Sequence, residues 1–160
     1  MSNLATTTTI LAVLGSGAMA GLFFTFSNTI MKALSEAPDD QGAAVMQSIN
    51  VVIVNPVFLL LFLGTGVFQV LSIGLSLVEN GLSGTRWTLG SGLLYLVGCL
   101  FITMKFNVPL NNMLAALDAS LPESAIKWRD YLASWIPWNH ARTIAAVGAT
   151  VTGCIALANG

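Results

Sequence analysis

The chain has 160 residues, 55% of them apolar and only 8% charged, with a formal net charge of −1. A soluble domain carries roughly 25% charged residues, so this composition points to an integral membrane protein. Near-zero net charge and the lack of a basic tail exclude an electrostatic case for nucleic acid as a partner.

Met1 to Thr9 contains no basic residue, so no cleaved leader is expected and the first apolar run should persist. A membrane-crossing helix needs about 20 apolar residues. Four runs meet or approach that: Ile10–Met31, Val51–Val78, Trp87–Phe106 and Ala141–Ala158. The expectation is one all-α domain over residues 1–160, a four-transmembrane-helix bundle with short interfacial helices between the third and fourth spans. Pro109 is expected to end the third span and open a short helix through Ala119. Ser120 is expected to cap a second short helix starting at Pro122. On that second helix Trp128, Tyr131 or Leu132, and Trp135 recur at helical spacing. The ordinary reading of such a face is an aromatic belt at headgroup level.

Gly17 and Gly21 lie four apart, as do Ala141, Ala145, Ala149 and Gly153. Such spacing lets helices approach closely in lipid, and it allows self-association into a homo-oligomer. Cys99 and Cys154 both fall inside apolar runs without ligand spacing and read as small buried hydrophobes. Of the cationic residues only Arg86 lies on the side of the termini, whereas Lys32, Lys105, Lys127, Arg129 and Arg142 lie on the other. The bias of cationic residues towards the cytoplasm places the Lys32–Asn50 and Asn107–His140 segments inside and both termini outside.

That inner rim also gathers polar side chains from every span. Ser27 comes from the first, Gln47, Asn50 and Asn55 from the start of the second, and Asn107 and Asn111 from the end of the third. The segment "WIPWNHART" (Trp135–Thr143) brings the single histidine to the start of the fourth. There Asn139 is placed to cap a helix, and Arg142 to snorkel or to pair with Asp130 or Glu36. His140 has both a structural and a functional reading. Buried polar groups are costly without partners, so one shared network, lining a pocket, is the economical solution. One histidine and no carboxylate within a span do not make a closed zinc or di-iron site. A haem held by His140 alone stays open; no other cofactor is expected. The absence of Asp or Glu at mid-membrane and the few polar residues in the outer half speak against a transporter.

Four stretches carry a resemblance: "FTFSNTIMKAL" (Phe24–Leu34), "MQSINVVIVNPVF" (Met46–Phe58), "NVPLNNML" (Asn107–Leu114) and "WRDYLASWIPWNHART" (Trp128–Thr143). In them the chain resembles the anthrone oxygenase-type family of small membrane proteins, with Lys32 standing where the first motif usually has proline. The resemblance implies four spans and oxidation of a lipophilic anthrone to an anthraquinone by dioxygen, without metal or flavin. Under it, His140 is the candidate base. Asn107, Asn111, Asn139 and Arg142 are candidate donors to a developing oxyanion. Tyr131, Trp135 and Trp138 are candidate stacking surfaces for a flat substrate, beside the polar Ser27, Gln47, Asn50 and Asn55. The alternative is a non-catalytic membrane protein that binds a lipid, a quinone or a partner subunit at the same rim.

Overall fold

A computed structural model describes residues 1–159, and every regular element among them is helical. Four helices follow in order: α1 (Asn3–Glu36), α2 (Asp39–Val52), α3 (Pro56–Ala115) and α4 (Ser124–Asn159). Three of them, α1, α3 and α4, are long and apolar enough to cross a membrane.

The joints explain where the elements begin. Ser2 caps α1 by accepting from the Ala5 amide at 3.2 Å, which satisfies one of the first turn's orphan donors. Asn55 does the same for α3, accepting from the amides of Val57 and Phe58 at 3.1 and 3.0 Å. Pro56 occupies the first turn, where its missing N–H costs nothing. The apolar run that starts at Val51 is therefore not one element. Val51 and Val52 end α2, and residues 53–55 form a break before α3.

A straight helix of the 60 residues of α3 would be about 90 Å long, three times the hydrocarbon core. Gly81 prevents that, with φ 63° and ψ −173° inside the helix, a conformation essentially reserved for glycine. The limbs 56–80 and 82–115 fold back on each other. Ser76 and Thr85 hydroxyls meet at 3.1 Å, Gln69 Nε2 donates to Ser91 Oγ at 3.1 Å, and the Tyr95 hydroxyl donates to the Phe62 carbonyl at 2.9 Å.

Two further expectations are corrected. Pro109 does not end the helix: the backbone passes through wide π-type turns at Leu96–Phe101 and Thr103–Asn107 and continues to Ala115. A wider turn just before the proline accommodates the ring and the missing donor. The second interfacial helix and the fourth span are likewise one helix, α4, with Pro137 inside it. Ser120 caps nothing. Its hydroxyl and amide both bond the Asp118 carboxylate, at 2.6 and 3.0 Å, and hold that carboxyl below its usual range. The turn closes where Ser124 Oγ donates to the Asp118 carbonyl at 2.7 Å.

Along α4 one buried stripe runs from Trp128 through Tyr131, Trp135, Asn139, Arg142, Ala145 and Ala149 to Gly153, at the three- and four-residue spacing of a single helix face. Its aromatic part does not form a headgroup belt. Trp128 and Tyr131 are 0% exposed and pack with Met31 and Leu34 of α1 and Ala43 and Met46 of α2. The small residues of the stripe do permit close approach: a Cβ on Gly153 would stand 2.5 Å from Val13 Cγ2. On α1 the close contact belongs to Gly15, where a Cβ would stand 2.0 Å from Thr65 Oγ1. Gly17 and Gly21 make no such approach. Cys99 is buried, but Cys154 faces outward.

The half of the molecule remote from α2 is more polar inside than expected, and its polar groups pair with one another. Thr9 meets Ser72 at 2.6 Å, Gln69 donates to Ser16 at 3.0 Å, and Ser91 donates to the Ala149 carbonyl at 2.7 Å. The Ser2 amide donates to Glu79 at 2.8 Å, which ties the start of α1 to the hairpin turn. Met1, Asn80 and Asn159 line one cleft at that end.

Candidate functional site

At the opposite end, below the break between α2 and α3, lies a partly open cleft with a cavity of about 100 Å³. All four helices build it. Phe23 and Phe26 come from α1, Asn50 from α2, Phe58 and later Thr103, Asn107 and Asn111 from α3, and Trp135 and Arg142 from α4. Two of the three π-type turns, Phe26–Ile30 and Thr103–Asn107, contribute lining residues. A widened turn re-aims the side chains around it, and such turns recur at functional sites.

Arg142 is the centre of the polar part and is only 6% exposed. Its Nη1 donates to Thr103 Oγ1 at 3.1 Å and its Nη2 to Asn139 Oδ1 at 2.6 Å. Its guanidinium also lies over the rings of Phe23 and Trp135, at 4.4 and 5.2 Å from their centroids, a cation–π pairing strengthened by the dry surroundings. Asn139 is held in turn: its Nδ2 donates to the Phe23 carbonyl at 2.8 Å and to Ser27 Oγ at 2.7 Å. That orientation leaves Oδ1 for the guanidinium.

A second network is anchored on Asn111. Its Oδ1 accepts from the Tyr131 hydroxyl at 2.9 Å and from Trp135 Nε1 at 2.8 Å. Two donors on one oxygen fix which way the amide points. Asn107 Nδ2 makes a long bond of 3.4 Å to the Trp135 carbonyl. Its own Oδ1 has no partner, and neither do Asn50 Nδ2 and Arg142 Nε. These three buried polar atoms come from three helices, and all three residues line the same cleft. Orphaned buried polar atoms are rare in folded proteins because each costs about 1–3 kcal/mol. A fourth such atom, Trp128 Nε1, belongs to a residue that does not line the cleft.

The remaining sequence-derived candidates lie elsewhere. Gln47 Nε2 donates to the carbonyls of Leu114 and Leu117, at 2.8 Å each, and closes the end of α3. Asn55 is spent on capping. Trp138 stacks on Phe106 with centroids 3.7 Å apart and does not line the cleft. His140 is exposed and is not brought to the cavity. Two residues along a helix from Arg142 means about 200° around it, the opposite face. Arg142 in its turn neither snorkels nor pairs with Asp130 or Glu36, and Asn139 sits in mid-helix instead of capping one. The sequence reading missed Phe23, Phe26, Phe58 and Thr103. A signal for Thr103 existed: Cys99, Thr103, Asn107 and Asn111 recur every four residues.

Comparison with known proteins gives one match. The family model described as anthrone oxygenase matches residues 52–152, a range that includes Phe58, Thr103, Asn107, Asn111, Trp135, Asn139 and Arg142. No curated protein and no solved structure matches the chain.

Proposed function

The chain belongs to the anthrone oxygenase family, and from that premise we propose that it is a membrane oxygenase acting on a lipophilic, anthrone-type aromatic at the Arg142 cleft. In this reading each limb of α3 crosses the bilayer, giving four crossings with α1 and α4. The cleft then faces the cytoplasmic rim, where the lysines and arginines gather.

The observation that carries the reading is that Asn50, Asn107 and Arg142, each with a buried side-chain atom lacking a partner, line one cleft whose other walls are aromatic and aliphatic. Apolar walls with a few convergent polar groups describe a small-molecule site. Phe23, Phe26, Phe58 and Trp135 suit a flat polyaromatic body. Asn107 Oδ1 accepts and Arg142 and Asn50 donate, a set suited to a ligand bearing both a hydroxyl and a carbonyl or oxyanion. Val54 lines the cleft and is also 62% exposed, so an apolar ligand can arrive sideways from lipid.

The reaction balances with dioxygen alone. The methylene carbon of the anthrone loses both hydrogens and gains one oxygen as the new carbonyl, and the second oxygen leaves as water. The protein's share is to hold the enol or enolate form, which is electron-rich enough to meet dioxygen, by hydrogen bonds to its oxygen.

The test is dioxygen uptake by membranes given an anthrone, with wild type, Arg142→Met, Asn107→Leu and protein-free membranes in parallel. Removing one preorganised donor from such a site costs about 10²–10³ in rate, so uptake above the spontaneous rate should fall towards background in Arg142→Met. Wild-type uptake equal to the protein-free control would retire the oxygenase reading and leave a ligand-binding protein.

A further inference from the structure

The charge balance of the cleft says more about its ligand than its shape does. Arg142 is buried to 6% exposure in a helix apolar enough to cross a membrane. Its partners are a threonine hydroxyl, an asparagine carbonyl and two aromatic faces, all neutral. Among the described residues no carboxylate lies within ion-pair reach of it. The Arg129–Asp39 pair is a separate contact in which Arg129 is largely exposed. The groups around the guanidinium carry no formal charge: Phe23 on α1, Thr103 on α3, and Trp135 and Asn139 on α4 touch it, and the other polar residues lining the cleft are the amides Asn50, Asn107 and Asn111. A buried cation without a counter-charge is heavily penalised, and intramembrane charges are kept where they serve a ligand or a path.

The same inventory lacks a base. The residues lining the cleft are apolar or aromatic side chains, amides, one threonine and the arginine, and the histidine faces away. We infer that the cleft takes its ligand as a preformed lipophilic monoanion, an aryl or enol oxyanion, with Arg142 as the counter-charge and no side chain acting as general base. The ligand has lost its proton to solvent at the rim before it enters the cleft. The positive guanidinium makes the anionic form of the ligand more stable inside the cleft than outside. This rests on the reading of the cleft as the substrate site, but not on turnover.

The test uses a probe that dioxygen does not consume: 2-hydroxyanthraquinone, whose phenol and phenolate forms absorb differently, titrated with pH against the full-length protein in detergent. Wild type should bind it and lower its pKa by at least about one unit relative to protein-free micelles, which is a tenfold preference for the anion. Arg142→Lys should keep part of the shift, because it keeps the charge. Arg142→Met should lose the shift, and Trp135→Ala should weaken binding without changing the shift's sign. The wild-type titration stands alone if Arg142→Met fails to fold. Probe bound in the cleft with an unchanged or raised pKa would overturn the anion while leaving the oxygenase reading in place, to be judged by uptake. Thermal stabilisation by chloride, lost in Arg142→Met and unaccompanied by probe binding, would assign the charge to a small inorganic anion and also overturn the inference.

Discussion

Asn139 and His140 are neighbours in the chain with opposite fates. Asn139 is wholly buried and spends both ends of its amide on α1 and on Arg142. Removing it leaves the guanidinium without its shortest partner and Ser27 without its donor. Asn139→Ala should therefore cost about 1–3 kcal/mol, the penalty for stranding buried polar groups, read as a lower thermal midpoint in detergent, and oxygen uptake should fall with it. His140, exposed on the far face, should behave as a surface residue. His140→Ala is expected to stay within about 0.5 kcal/mol of wild type and to keep the full rate of oxygen uptake. A rate near background in a folded His140→Ala protein would restore the histidine as base and remove the base-free reading of the cleft.

The helices divide into parts that local sequence determines and parts that it does not. Asn55 and Pro56 form a start signal that can be read directly, cap then first-turn proline, and the structure uses both. Pro109 looks like a stop signal and is not, because π-type turns before it carry the helix through, and α4 likewise continues through Pro137. A proline's cost of about 3 kcal/mol in a helix interior is a local penalty that tertiary contacts can exceed. The glycines split the same way, and the split can be tested. Gly81 has open space around it but a conformation that disfavours any side chain, so Gly81→Ala should cost about 1–3 kcal/mol through backbone strain. Gly15 has ordinary helical geometry but no room, with Thr65 against it. Gly15→Ala should cost a similar amount by overpacking, and Thr65→Gly should rescue it. The same second substitution should do nothing for Gly81→Ala. Equal rescue of both would show that crowding against Thr65 is not the cause at Gly15.

For the molecule as a whole, the hairpin at Gly81 is the decisive feature. It turns one apolar helical segment of 60 residues into two limbs, so that α1 packs against the first (Thr9 on Ser72, Gly15 on Thr65) and α4 against the second (Ala149 on Ser91, Arg142 on Thr103). If each limb crosses the bilayer, residues 80 and 120 lie on opposite sides. Single cysteines at Asn80 and Ser120, introduced with Cys99 and Cys154 replaced, should label from opposite faces of sealed vesicles with an impermeant maleimide, Ser120 from the cytoplasmic face. Labelling of both from the same face would overturn the four-crossing arrangement.

Much of this was legible in the chain. Composition alone excludes a soluble domain, because 8% charge leaves too little polar surface to face water. The apolar runs locate the three long helices, since burying backbone in lipid demands helices of about that length. The "WNHAR" and "NVPLNN" segments locate the polar rim and the family. Which side chains enter the cleft was not legible, for a physical reason. Periodicity assigns residues to faces only within a helix of known extent, and here π-type turns reset the phase in α1 and α3 while α3 and α4 run on through Pro109 and Pro137. With α4 read as starting afresh near Ala141, Asn139 becomes a cap and His140 a pocket residue. With α4 continuous from Ser124, Asn139 and Arg142 join the buried stripe that begins at Trp128, and His140 turns to the outside. The sequence by itself thus determined the membrane class, the family and the level at which polar groups collect. Only the packing of α1, α2, α3 and α4 decided that Arg142, and not His140, faces the cavity, because the face a residue presents depends on neighbours far away in the chain.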